Sequence, residues 1–462
     1  MCEWRSKADI WYECPHERMV GSRLCIFHEH DKPVDAFLEA MRSLLLKAPS
    51  ATPKNPLDLR GFVFPRDVRC EQLGVHPECI QLPRDLTNTV LDEAVFLQDV
   101  NLDGGQFSRD WGLRDVEVRG DTHLAMRGTG TLSLGGSQFH GDVRAPGLRL
   151  SLGGSLEMED SRISGSVDLS EARIAGLSLA RGQVEGDLRI VEGEISGVLN
   201  MYRLQVGGCT YLQRLTARGE VFLLGAILGR RLDLRGAHLA GRPITLECDA
   251  GGLTLGRRRP TTSFPWVQDG MGICIDDLSG ARRFWSFASR TFARQGMPER
   301  ADASHYLYRV YTSREKRKGE NLGYPDDWSV ARKSVLRFLA RIRAWIAWLV
   351  ECLLLRWPTA YGGSYLRIIA TWAVLVVGFG VAYFLLTRDC PNAVLDLTSS
   401  GLKWKFSLGR ALYFSLTTFT TLGFGDFQPA PGIGSVLVAV EAALGAIVMA
   451  LTVLVIGRKF MR

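Results

Sequence analysis

Three cysteines and a histidine near the N-terminus have the residue types of a metal site. Cys2, Cys14, Cys25 and His28 follow the spacing C-x11-C-x10-C-x2-H. Three thiolates and an imidazole suit tetrahedral Zn2+, and the short gap between Cys25 and His28 gives a chelating pair. His16 is an alternative ligand. The competing interpretation is a small cap with free cysteines.

A second segment that could do chemistry lies near the C-terminus. Residues 408–420 are apolar with hydroxyl groups and suit a short helix. The helix is followed by the hexapeptide Thr421-Leu422-Gly423-Phe424-Gly425-Asp426. Because glycine takes positive φ angles at no steric cost, this backbone can adopt dihedrals that other residues avoid.

The hexapeptide resembles the selectivity filter of potassium channels, which reads Thr-x-Gly-aromatic-Gly-Asp after a short pore helix. The resemblance implies that the backbone carbonyls of Thr421, Leu422, Gly423 and Phe424 replace the water around a dehydrated K+ ion. It also implies an inner ring of Thr421 hydroxyls, and Asp426 at the outer mouth. Leu422 and Phe424 stand where Val and Tyr are common in the family, which leaves a nonselective cation channel as an alternative.

Two apolar runs flank this segment and must position it. Ile368–Thr387 contains no charged residue and would extend roughly 30 Å as a helix, about one hydrocarbon core. Ile433–Ile456 is interrupted only by Glu441. We therefore predict membrane spans over 366–387 and 433–457. Basic residues flank the outer ends of both spans, so the positive-inside rule places both termini in the cytoplasm, at the cell membrane.

Three further residues are candidates for pore lining or gating. Glu441 is a carboxylate within a span, which marks a functional candidate. It either lines a cavity or pairs with a hydroxyl of the pore helix. Gly445 is either a gating hinge or a close contact between helices. Thr420 directly precedes the hexapeptide. Because one chain supplies one filter loop, the resemblance implies a homotetramer around a single axis.

The middle of the chain carries an internal repeat. From Gly154 to Ala240, apolar or small residues recur at positions 3, 5, 8 and 10 of units 10–11 residues long. Such pairs, two residues apart, indicate short extended segments with one face inward, and a helical period of 3.6 is absent. The repeat predicts a β-solenoid and resembles pentapeptide-repeat proteins. Its surface would bind an unknown ligand or protein, or serve as a rigid spacer.

A basic block precedes the first span. Ala281–Arg343 holds 15 Lys/Arg and 6 Asp/Glu, a local net charge of +9 against +7 for the whole chain. Anionic membrane lipids attract such a segment, and no docking motif favours nucleic acid. Aromatic residues at helical spacing, followed by Gly296, predict an αα-hairpin that ends near Lys318. Residues 331–359 predict a basic, Trp-rich helix at the inner membrane surface.

The amino-acid composition excludes several classes of protein. Hydrophobic residues make up 46% of the chain, which excludes disorder over most of it, and their concentration near the C-terminus excludes a purely soluble protein. The ten cysteines show no disulfide framework. No nucleotide-binding loop or metal-hydrolase motif is present, so an enzyme is not expected.

The order of these parts resembles bacterial ion channels with pentapeptide repeats. The predicted fold is therefore multidomain, with a β-solenoid soluble domain and an α-helical two-transmembrane pore domain of potassium-channel type. The implied function is passive K+ conduction, gated by the solenoid. A membrane-anchored solenoid scaffold with a non-conducting pore is the rival. The predicted domains are a Cys/His segment (1–32), a cap or linker (33–90), the solenoid (91–250), a helical linker (251–330), the basic helix (331–359) and the pore domain (360–462).

Overall fold

The chain divides into two compact units, Met1–Tyr311 and Thr312–Arg462. The structure, a computed structural model, describes residues 1–7, 12–45, 52, 56–65, 85–151, 153–241, 244–245, 248–255, 273–318, 342–343, 345–362, 365–389, 394–396, 407–429 and 432–460. Within these residues the longer helices are α1 (Val34–Leu45), α2 (Leu278–Arg294), α3 (Pro298–Lys318), α4 (Tyr365–Asp389), α5 (Leu408–Phe419) and α6 (Ile433–Phe460).

The first unit is a parallel β-solenoid with four faces, as the repeat predicted. From Val95–Phe96 onward, strands pair in parallel with the strand four places later in the chain, so one coil contributes one strand to each face. Successive partners on one face, such as Val184, Val206 and Leu228, lie 22 residues apart. One coil therefore consists of two of the repeat units recognised in the sequence.

The strands of each face stack in chain order. The first face consists of Val63–Phe64, Val95–Phe96, Glu117–Val118, Gln138–Phe139, Arg162–Ile163, Gln183–Val184, Gln205–Val206, Ile227–Leu228 and Asp249–Ala250. The second consists of Val100–Asn101, Thr122–His123, Val143–Arg144, Val167–Asp168, Leu188–Arg189, Cys209–Tyr211, Arg231–Asp233 and Leu253–Thr254.

In the path of each coil, the remaining two faces follow the second face and precede the first face of the next coil. The third face consists of Gln106–Phe107, Arg127–Gly128, Arg149–Leu150, Arg173–Ile174, Glu194–Ile195, Thr216–Ala217, His238–Leu239 and Cys274–Ile275. The fourth consists of Trp111–Gly112, Leu132–Ser133, Ser155–Glu157, Gly176–Ser178, Leu199–Asn200, Val221–Phe222 and Ile244–Thr245. A separate pair joins Leu57–Asp58 to Thr89–Val90.

The strand ladder extends beyond the predicted range of 91–250. Leu57–Asp58 and Val63–Phe64 already pair with strands of the next coil, and Cys274–Ile275 pairs with His238–Leu239. Long intervals separate these strands from their neighbours in the chain and break the 10–11-residue period. For that reason the repeat pattern does not reveal them.

A turn lies at every second corner of the solenoid. It adds the extra residue by which most repeat units exceed five residues per strand. One residue of each turn has a positive φ angle, and this position recurs every 10 or 11 residues. The series runs through Glu171, Arg181, Glu192, Arg203, Arg214, Gly225 and Gly236. Other corners bring backbones very close. A Cβ atom on Gly141 would lie 2.4 Å from the carbonyl oxygen of Gly120 in the preceding coil, so only glycine fits there.

Side chains at one corner bind the backbone of the next coil. The carboxylate of Asp99 accepts a hydrogen bond from the backbone N–H of Asp121 at 2.8 Å. Asp121 in turn accepts from the N–H of Asp142 at 2.9 Å, and Asp142 from that of Ser166 at 2.8 Å. This column of bonds satisfies corner N–H groups that the strand ladder leaves out. The Ser166 N–H and Arg144 lower the pKa of Asp142.

Helices cover both ends of the solenoid core. At the first coil, α1 buries Phe37 and Met41 completely. At the last coils, Phe284 and Phe287 of α2 pack over the inward-facing leucines. The predicted αα-hairpin is present as α2 and α3, and the Ser289 hydroxyl of α2 donates to the Ala301 carbonyl of α3 at 3.1 Å. The solenoid therefore has no open end to its apolar core in the described residues.

The second unit contains two helices long and apolar enough to cross a membrane. They cover Leu366–Arg388 and Ile433–Gly457, and only 17% and 22% of their most apolar windows are buried within the chain. The core helix of a soluble protein would be mostly buried, so lipid or other chains must cover these surfaces. Val394–Asp396 and Phe427–Pro429 form an antiparallel pair between them.

The region before the first span is helical where it is described. Residues 345–351 are helical, Cys352–Arg356 form a π-helical turn and Trp357–Thr359 a short α-helical one. Large apolar side chains, among them Trp345, Leu353 and Trp357, are exposed. Residues 319–341, which include the start of the predicted basic helix, lie outside the described residues.

Candidate functional site

Helix α5, the predicted pore helix, is wedged between α4 and α6. Its N-cap is Ser407, whose hydroxyl accepts the N–H of Arg410 at 3.4 Å. Two glycines allow close contact with the neighbouring helices. A Cβ atom on Gly380 of α4 would lie 2.7 Å from a methyl group of Leu412, and one on Gly445 of α6 would lie 2.3 Å from the carbonyl oxygen of Phe419.

The hexapeptide that follows α5 has an alternating backbone. Thr421, Gly423 and Gly425 have φ angles of 56°, 50° and 82°, while the residues between them do not lie in this left-handed region. The N–H of Leu422 donates to the carbonyl of Thr417 at 3.0 Å and ties the segment to the pore helix. Such alternation is compatible with a row of carbonyl groups that face one side, as ion ligands require.

The side chains of the hexapeptide face outward from the single chain. Leu422 and Phe424 are 63% and 68% exposed. Asp426 differs, because it is half-buried and interacts electrostatically with the phenol of Tyr413 on the pore helix. Phe424 has no hydroxyl group to anchor the hexapeptide, whereas Tyr413 places a phenol near Asp426 at its outer end. Tyr413 was not among the residues predicted from the sequence; its position eight residues before Thr421, about two helical turns, was the available signal.

Glu441 is fully buried within the single chain and joins all three helices. Its carboxylate accepts hydrogen bonds from the Tyr383 hydroxyl of α4 at 2.6 Å and from the Ser415 hydroxyl of α5 at 2.5 Å. Ser415 also lies 2.9 Å from the carbonyl oxygen of Val376. Of the two roles considered for Glu441, pairing with a pore-helix hydroxyl is the one whose contacts are present.

The other two candidates contact the pore helix as well. The close approach of Gly445 to Phe419 is a contact between helices of the kind that small residues allow. Thr420 forms the C-cap of α5, and its hydroxyl donates to the carbonyl of Leu416 at 2.7 Å. The Trp372 indole donates to the Thr452 hydroxyl at 3.2 Å and connects the two long helices directly.

The N-terminal candidates form a separate cluster in the first unit. Cys2, Cys14, Cys25 and His28 are all buried, and their ligand atoms lie within 4.8 Å of one another. His16 is not part of this group; its ring packs edge-on against Phe27 at 4.7 Å. Cys14 and Cys25 share a hydrogen bond that lowers the pKa of the Cys25 thiol and raises that of Cys14.

In the second unit, two apolar helices flank a short helix and a loop with positive φ angles at alternate residues. Comparison with known families agrees, since residues 371–462 match the family model Ion_trans_2, described as an ion channel. The chain thus joins a parallel β-solenoid to a C-terminal ion-channel domain. No curated protein and no solved structure matches the chain.

Proposed function

We propose that the chain forms a homotetrameric, potassium-selective channel in the cell membrane. Ions would pass down their gradient along the carbonyl groups of Thr421, Leu422, Gly423 and Phe424. The observation that carries this proposal is the alternating backbone of the hexapeptide, held by a buried pore helix within a region that matches an ion-channel family. The exposed Leu422 and Phe424 and the poorly buried spans support assembly with further copies and lipid.

The fixed position of the carbonyl row is what selectivity requires. The Leu422–Thr417 hydrogen bond holds the inner end of the row, and Tyr413 interacts electrostatically with Asp426 near the outer end. Glu441 holds the pore helix to both spans. A row tied to a fixed pore helix keeps its oxygens in place when the ion loses its water. The basic flanks support a topology in which both termini lie in the cytoplasm.

The reversal potential of the purified protein tests this function. The full chain is placed in a planar bilayer with KCl on one side and NaCl on the other. We expect a large potential that favours K+. The substitution Gly423→Ala should abolish the current, because alanine is strained by about 1–2 kcal/mol at positive φ. Gly409→Ala is the matched control, since Gly409 is helical and the nearest atom to its Cβ position is 3.9 Å away.

The other outcomes identify the alternatives. A robust current with a reversal potential near zero would mean a nonselective cation channel and would point to Leu422 and Phe424. No current from the full chain and none after removal of residues 1–280 would favour a membrane-anchored scaffold.

We also propose that the solenoid gates the pore. The support is the α2–α3 hairpin, which is anchored on the last solenoid coils and leads toward the pore domain in sequence. A ligand or protein bound to the solenoid would act through residues 281–343, near which anionic lipids would bind. Unchanged open probability under all conditions after deletion of residues 1–280 would contradict this mechanism.

A further inference from the structure

The four ligand atoms of the buried Cys/His cluster lie within 4.8 Å of one another, and four of their six separations can be compared with those of a tetrahedral metal site. In such a site, bonds of about 2.3 Å to sulfur and about 2.05 Å to nitrogen place two sulfurs about 3.8 Å apart and a sulfur and a nitrogen about 3.5 Å apart. The Sγ atoms of Cys14 and Cys25 are 3.8 Å apart. His28 Nδ1 lies 3.5 Å from the Sγ of Cys14, 3.6 Å from that of Cys2 and 3.1 Å from that of Cys25.

The structure also fixes which nitrogen of His28 can bind a metal. Its Nε2 lies 3.0 Å from the backbone carbonyl oxygen of Arg60. A carbonyl oxygen only accepts, so Nε2 carries the proton and donates it. Nδ1 is then the nitrogen with a free lone pair, and it is the nitrogen that faces the three sulfurs. Outer hydrogen bonds of this kind orient histidine ligands in metal sites generally.

The surroundings exclude solvent and support thiolate ligands. The backbone N–H of Cys25 donates to the Cys2 sulfur at 3.2 Å. The Trp4 ring stacks on the His28 ring with centroids 4.4 Å apart, and Phe62 contacts the same ring edge-on at 5.4 Å. With three sulfurs, one nitrogen and no open position, the cluster suits a structural Zn2+ site.

We propose that Cys2, Cys14, Cys25 and His28 bind one structural Zn2+ ion that fastens the N-terminal segment over the first solenoid coil. This segment has little regular structure, with an isolated bridge between Arg5 and Glu13 as its only strand-like pairing in the described residues. Small segments of this kind depend on a metal for their fold.

The fastening involves contacts on both sides of the site. The N–H of Val63, in the first coil, donates to the Phe27 carbonyl at 2.8 Å. The Ser6 hydroxyl and the Lys7 N–H donate to the Glu93 carboxylate at 2.5 and 2.8 Å. The ion would hold Cys2 and Cys25 together, so that both sets of contacts form at once. This proposal does not depend on ion conduction.

Metal analysis of the full chain in detergent tests the proposal. We expect one zinc per chain after purification without added metal. Exchange for Co2+ should give strong tetrahedral d–d bands and a thiolate-to-cobalt charge-transfer band. This spectrum is recorded on the unsubstituted protein, so it does not depend on the folding of any variant. No stoichiometric zinc, another metal in its place, or a Co2+ spectrum without thiolate bands would overturn the proposal.

Two variants and one control identify the ligands. Cys25→Ser should lose the zinc, whereas Cys209→Ser, which alters a half-buried cysteine in the solenoid, should retain it. His28→Cys should retain the metal and strengthen the charge-transfer band, because the ligating Nδ1 lies close to the backbone where a sulfur can replace it. Full zinc in Cys25→Ser, or loss of the band in a folded His28→Cys protein, would contradict the assignment.

Discussion

The buried carboxylate of Glu441 gives the sharpest test of how the pore helix is held. Among the described residues, Glu441→Ala removes the only acceptor of the Tyr383 hydroxyl, whereas the Ser415 hydroxyl can donate to the Val376 carbonyl instead. An orphaned buried hydroxyl costs about 1–3 kcal/mol. The cavity left by the shorter side chain adds roughly 1 kcal/mol. We therefore expect Glu441→Ala to destabilise the pore domain by about 2–4 kcal/mol per chain.

Glu441→Gln is the matched control, because it keeps the shape and both hydrogen bonds. The amide nitrogen of glutamine donates to Ser415, and its carbonyl oxygen accepts from Tyr383. We expect a loss of less than about 1 kcal/mol for this variant. Thermal unfolding of the full chain in detergent, followed by tryptophan fluorescence, gives the stabilities, and K+ flux into vesicles gives the function.

A double variant makes the reasoning refutable. In the Glu441→Ala background, Tyr383→Phe removes the orphaned hydroxyl and should recover part of the lost stability. If the double variant is less stable than Glu441→Ala, the hydrogen-bond argument is wrong. If Glu441→Gln changes ion selectivity while stability is unchanged, the carboxylate lines the conduction path instead.

Three further predictions concern the solenoid, each measured by thermal or denaturant unfolding of the full chain. Gly141→Ala should destabilise it strongly, because its Cβ would lie 2.4 Å from a carbonyl oxygen of the preceding coil; Gly135→Ala, where the nearest atom is 3.5 Å away, should be neutral, and equal effects would contradict the close-approach argument. Thr122→Val should stabilise the solenoid by about 1 kcal/mol, because it removes a buried hydroxyl that has no hydrogen-bond partner among the described residues; a loss of stability would refute this. The pKa of Asp142 is lowered from its ordinary value of 3.8, so its contribution to stability is present above about pH 4 and is lost as the pH falls further; the stability difference between the protein and Asp142→Asn should therefore shrink between pH 7 and pH 3, and a constant difference would contradict the assignment.

The fold class of each unit was predictable from the sequence, because it depends on patterns among residues that are close together in the chain. The 10–11-residue repeat places apolar side chains on the inner faces of short strands, and every coil repeats this arrangement. The two spans are apolar over a length that few structures other than membrane-spanning helices require. The hexapeptide combines glycine spacing with a preceding helix, which together limit the backbone to few conformations.

Contacts between distant residues were not predictable from those patterns. Nothing in the spacing of Tyr383, Ser415 and Glu441 shows that they meet, because helix packing and rotation decide it. The same holds for the carbonyl of Arg60, which selects the nitrogen of His28 that faces the cysteines. The early strand at Leu57 was missed because the repeat is interrupted after it.

Because the soluble unit is built from equal coils, its length can change only in fixed steps. Each added coil of about 22 residues would lengthen it by about 4.8 Å and leave all four faces aligned. An added half-coil of 11 residues would preserve the inward apolar pattern. Every later strand would then lie on the face opposite its present one. The hairpin at the far end would then emerge on the other side. Duplication within this gene could thus alter reach and orientation in steps, without any change to the conducting domain.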